Sequence, residues 1–394
     1  MHIILNQKNY LLVLLFSCLG LQAYREAVVI CPVVDLASSS LGNDCNTSAQ
    51  VRAKYGAIPA SWQDSSRECV RVHQLLFNEV VDVISETKYE LEVHIKNAYY
   101  GSHETETLWA LKDGFVFCDQ INLVGVPASI NYKQKHIPAA TSVVGLKMPF
   151  YDFITGKLYS AGTRFCCLET ESLHAKILIH NFETGELCQT YIPLYFCHLL
   201  YPDLTLNTKR ADFVDILQSW ARIVQKNGKY AVPFVWGGAS FRAKQSLINC
   251  KNITNRPKAN QEITYNGFDA SGLILRAAQI AGLPYFYKNS TTALANLHPV
   301  LPTRLPKEGD ILGAPGKGFI VVVSDLANNK LIRASGVSVG YGYVVENSLN
   351  EVFLGINTYQ ELVDCIKCGK SLTLIGANGE ARGVLDNLIV YEIR

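Results

Sequence analysis

The side chains able to act as a nucleophile and its base are unevenly spread along these 394 residues. Twelve cysteines and nine histidines are present. From Tyr201 onward, however, the imidazoles reduce to His298 and the thiols to Cys250, Cys365 and Cys368. A cysteine attacks as its thiolate, which a neighbouring histidine or a helix N-terminus stabilises at neutral pH. Cys250 lies in the long stretch between Trp236 and Asp269 and His298 in a proline-rich loop, so a thiol–imidazole dyad would have to be assembled from two loops. Cys365-Ile366-Lys367-Cys368 is half a zinc site, and no second half at suitable spacing accompanies it. No metal and no cofactor is expected. The Cys166-Cys167 pair reads as packed thiols or as part of one adventitious disulfide.

The elements that must position such groups fall into two styles. From Ala27 to Gln120, and again from Val124 to Cys197, short runs alternate in apolar character, as half-buried strands do. Val80–Ile84, Tyr89–Ile95, Thr163–Leu168 and Ala175–His180 are examples, with a turn at Glu183-Thr184-Gly185-Glu186. Phe213, Ile216, Leu217, Trp220, Ala221 and Val224 then trace the stripe of an amphipathic helix over Arg210–Val224. A second helix is expected over Ala270–Ala281, with Asp269 as its N-cap and Gly282 as its left-handed stop. Strands follow at Gly318–Ser324, Leu331–Ala334 and Leu388–Ile393, an α+β arrangement. Lys8 leads an apolar run from Tyr10 to Leu21, shorter than the roughly 20 residues of a membrane span, which fits a secretory signal cleaved after Ala23. Leu15-Phe16-Ser17-Cys18 offers an alternative, a lipid anchor at Cys18. Lys plus Arg (36) nearly balances Asp plus Glu (34) and no like-charge block stands out, which argues against a nucleic-acid partner.

Two motifs carry a resemblance. Pro233-Phe234-Val235-Trp236-Gly237-Gly238-Ala239-Ser240 and Gly267-Phe268-Asp269-Ala270-Ser271-Gly272-Leu273 together resemble the NlpC family of papain-like cysteine peptidases, which cut peptidoglycan stem peptides. The family pattern places a cysteine at the start of the helix, and the matching residue here is Ala270. The positions matching its base and its orienting partner are Gly318 and Arg333. The resemblance therefore implies a site with no intact catalytic residue. It leaves a substrate side of Trp236, Asp269 and Ser271, although Trp-Gly-Gly also serves core packing. Val72-His73-Gln74-Leu75-Leu76-Phe77-Asn78-Glu79 is similar to a stretch of the bacterial SH3-like barrel that precedes the catalytic domain in recycling-type members. There the acidic residue helps to bind a free amino end, which makes Glu79 the matching position; the bland alternative is an exposed turn carboxylate.

The expectation is a signal peptide over 1–23, SH3-like barrels over 24–124 and 125–203, and an NlpC-type domain over 204–394. The apolar N-terminal run implies an exported, periplasmic or extracellular protein, and the resemblance implies that it recognises muropeptides without cutting them. Two alternatives stay open: an active γ-D-glutamyl peptidase with unusual catalytic residues, and a scaffold or regulator whose partner is a catalytic cell-wall hydrolase.

Overall fold

The computed structural model describes residues 24–60, 69–101, 107–138, 143–201, 203–224, 232–242, 266–336 and 341–394. The signal segment, Cys18 and Cys250 lie outside them. The N-terminal strands are β1 (Arg25–Val29), β2 (Val33–Ala37), β3 (Arg71–Leu76), β4 (Val80–Glu86), β5 (Glu90–Ile95), β6 (Leu108–Leu111) and β7 (Phe115–Phe117). They pair antiparallel in the order β3-β2-β6-β5-β4-β1-β7. In β4 the alternation expected from the sequence is realised, with Val81 and Val83 buried between half-exposed neighbours. A helix not foreseen in the sequence, α1 (Ser48–Gly56), interrupts this run behind a capping box of Thr47 and Gln50.

The second run comprises β8 (Val143–Leu146), the hairpin β9 (Phe150–Asp152) and β10 (Lys157–Tyr159), then β11 (Arg164–Thr170), β12 (His174–Asn181), β13 (Glu186–Pro193) and β14 (Cys197–Leu199). Five of these strands form a sheet ordered β13-β12-β11-β8-β14. Among the described residues neither strand order closes on itself.

The C-terminal part opens with α2 (Leu206–Ala221), then the short ribbon β15 (Ala239–Ser240) and β16 (Gly267–Phe268), α3 (Ala270–Ala281) and α4 (Ser290–Asn296). Then come β17 (His298–Pro299), β18 (Ile311–Ala314), β19 (Phe319–Asp325), β20 (Lys330–Ser335), β21 (Tyr343–Ser348), α5 (Tyr359–Lys367), β22 (Leu372–Ile375), β23 (Ala381–Leu385) and β24 (Ile389–Glu392). The main sheet runs β17-β24-β18-β19-β20-β21 and is buried on both faces. Ile320, Val322, Ile332 and Ala334 face α2 and α3, while Val321, Val323 and Leu331 face α5 and the β22–β23 hairpin. The fold is α+β. Among the described residues no helix is long and apolar enough to cross a membrane.

α3 is the pivot of the molecule. Asp269 caps it and Gly282, at φ +74°, ends it, as the sequence indicates. Every residue from Ser271 to Ala281 is buried, so the helix is covered all round. Its apolar side chains join the N-terminal sheet and the main sheet in one core. Its polar ones also reach across: Arg276 donates to Glu79, to Gln74 O (2.7 Å) and to Ala239 O (2.9 Å), and Gln279 to Asn97 O (2.8 Å).

His73 on β3 lies fully inside this junction with neither ring nitrogen hydrogen-bonded among the described residues. Burial first, then the charges of Arg276 and Lys288, holds its pKa well below 6.5. The folded form thus refuses a proton that the unfolded chain accepts below about 6.5. Stability is full above that pH and falls as the pH drops from there toward the folded pKa. Its share approaches about 1.4 kcal/mol per pH unit for one proton. Urea unfolding at pH 7, 6 and 5 should show the slope, and His73→Leu should flatten it by one proton's worth. A slope unchanged in His73→Leu would assign the acid sensitivity elsewhere.

Candidate functional site

The start of α3 opens into a groove of about 670 Å³ between the N-terminal sheet and the main sheet. Trp236 and Gly237 come from the turn before β15, Asp269, Ala270 and Ser271 from the head of α3, and Gly318 from the turn before β19. Arg71 and Val72 of β3, and Ala334 and Ser335 of β20, complete much of the wall. Most of the residues singled out in the sequence therefore share one wall. Two do not.

Arg333 is turned away. Side chains alternate along β20, so Arg333 shares the face of Leu331, while Ala334 faces α3. Its Nε donates to Asn347 Oδ1 at 3.1 Å, and its guanidinium stacks over Tyr341 at 4.7 Å from the ring centroid. At the end of β20 the groove is lined by Ala334 and Ser335. Glu79 is not a groove residue either. Arg276 holds both its oxygens in a buried ion pair, and Leu76 N donates to Oε2 at 2.9 Å. The expectation that Glu79 helps to bind a free amino end gives way to an internal ion pair, and Asp269 likewise meets a cation of the protein itself.

The second cation is Lys288, which the sequence reading did not single out. It follows the aromatic run Tyr285-Phe286-Tyr287, lines the groove and has a side chain only 1% exposed. A charge ending an aromatic run was the available signal. Its Nζ donates to Asp269 Oδ2. Burial pulls the ammonium below the ordinary lysine value, against the opposing pull of Asp269. Asp269 Oδ1 accepts from Gly272 N (2.6 Å) and Ser271 Oγ (3.1 Å). Arg71 forms a matching buried pair with Asp35, at 2.8 and 3.1 Å.

Chemically, the head of the helix carries only the Ala270 methyl where a nucleophile would stand. Gly318 leaves open space, since a Cβ built there meets nothing within 4 Å, but at φ +66° it sits in a conformation that side-chain-bearing residues rarely adopt. No imidazole or thiol lines the groove among the described residues. His298 is exposed on β17, paired to Glu392, and Cys365 and Cys368 lie on α5 and its C-cap. Among the described residues no cluster of His, Cys, Asp and Glu could hold a metal.

The head of α3 is thus set in a groove against an antiparallel sheet. Among solved structures the chain is similar to an NlpC/P60 family protein from Bacillus cereus ATCC 10987, with a TM-score of 0.51 and 12% identity over 91% of this chain and 99% of that one. NlpC2 from Trichomonas vaginalis also matches, with a TM-score of 0.31 and 12% identity over 84% and 95% of the two chains. The first likeness shows the fold and, at that identity, the fold alone. No family model matches the sequence, and no curated protein does.

Proposed function

We propose that this protein binds peptidoglycan stem peptides in the groove at the head of α3 and does not cleave them. The carrying observation is Ala270, a methyl group on the first turn of a capped helix that opens into a groove of ligand size. Ser271, one residue on, has its hydroxyl on Asp269 and no imidazole beside it among the groove residues. Lys288, as the ammonium partner of Asp269, has no lone pair to serve as a base. In this reading the protein is exported, and the two β-sheets before α2 are SH3-like modules, the first of which supplies one wall of the groove. A catalytic cell-wall hydrolase is its natural second partner.

Incubation with defined tri- and tetrapeptides should leave them intact by mass spectrometry while calorimetry registers binding. Ala270→Cys alone should remain inert, since no base adjoins it. Turnover blocked by a thiol alkylator would overturn the reading and point to Cys250, Cys365 or Cys368. Absence of any binding would hand the role to a scaffold.

A further inference from the structure

We propose that Lys288 acts as a built-in substitute for a ligand's amino end, so that the groove selects peptides whose amino end is blocked by an acyl group. The inference deepens the stem-peptide reading and rests on it.

Asp269 is the one carboxylate among the described residues lining the groove, and both its oxygens are committed. Oδ2 takes the Lys288 ammonium, and Oδ1 takes Gly272 N and Ser271 Oγ. Arg71, the other charged lining residue, is matched by the buried Asp35. Glu79, outside the lining, is matched by Arg276. Charge is thus balanced inside the protein before any ligand arrives. A peptide ammonium entering this wall would shed its water shell without meeting a free carboxylate. It would also face a like charge on Lys288 and the positive end of the α3 dipole. An acylated amino end carries no charge and presents a carbonyl oxygen. With Lys288 already neutralising Asp269, an uncharged end enters without stranding a charge or meeting repulsion.

Blocking could come from a simple acyl group or from a sugar-linked lactyl group, and the test separates the two. Calorimetric titrations would compare L-Ala-γ-D-Glu-diaminopimelate with its N-acetyl and N-acetylmuramoyl forms. Both blocked forms should bind at least about tenfold more tightly than the free amine, the weight of one charge-assisted contact. A gain confined to the muramoyl form would assign the selectivity to the sugar and overturn the role of Lys288. Lys288→Met should reverse the preference, because it leaves Asp269 unpaired toward the groove. Adding Asp269→Asn to that variant should abolish the reversal. Should Lys288→Met fail to fold, the parent comparison still decides. Equal or tighter binding of the free amine overturns the inference and leaves the groove reading standing. Failure of all three peptides to bind removes that reading and the inference with it.

Discussion

Glu79→Gln is expected to weaken the fold by about 3 kcal/mol, the low end for breaking one side of a buried ion pair, and to leave peptide affinity unchanged. The reason is the environment of its partner. Arg276 is 1% exposed and sits on a helix buried from Ser271 to Ala281. With the carboxylate gone, its guanidinium keeps Gln74 O, Ala239 O and Gln279 Oε1 as acceptors but loses the compensating charge. The lost pair spans 197 residues of sequence and ties the N-terminal sheet to α3, so the cost should appear in global unfolding. Urea titration checks the stability, and calorimetry with the best-binding peptide checks the affinity. A Glu79→Leu/Arg276→Met double variant should recover part of the loss, because two apolar groups leave no charge stranded. Intact stability with lost binding would restore Glu79 to the ligand.

That outcome bears on what a sequence can show. The capped helix α3 was legible to the residue, since Asp269 and Gly282 are local signals whose physics needs no neighbours. The motifs also brought Trp236, Asp269, Ala270, Ser271 and Gly318 to one groove. The charge partners were not legible. Arg276 meets Glu79, and Lys288 meets Asp269, only because the fold delivers them, and no periodicity announces either contact. Arg333 was misplaced by the parity of a strand, where one position exchanges one face for the other. The helices α1 and α5 were missed although both carry readable capping boxes, Thr47 with Gln50 and Thr358 with Glu361. In α1 the mean apolar character is low, with Val51 and Tyr55 its buried residues, so the stripe that betrays longer helices is nearly absent.

The second large effect is expected at Gly272, in the first turn of α3. A Cβ built there lies 2.0 Å from Gly238 O and 3.0 Å from Asp269 Oδ1. The nearer atom is backbone, so no side-chain rotation relieves it. Gly238 is itself pinned, because its own Cβ would lie 2.4 Å from Gly267 O and 2.7 Å from Val235 O. Gly237, at φ +70°, rests against the backbone of Arg71, with a Cβ position 2.3 Å from Arg71 O. Asp269 N also donates to Gly238 O at 3.1 Å, so the head of the helix and the Trp236 turn are one unit. Gly272→Ala must push that unit apart. Overpacking costs about 1–3 kcal/mol, and a backbone clash this close places it at the upper end or beyond. The displacement carries Asp269, Ala270 and Ser271 away from Trp236, so peptide affinity should fall along with the melting temperature. Gly383→Ala, on β23 where a Cβ meets nothing within 4 Å, is the matched control and should stay within about 0.5 kcal/mol of the parent. If Gly272→Ala melts with the parent and binds as it does, the close seating of helix on turn is not what shapes the groove.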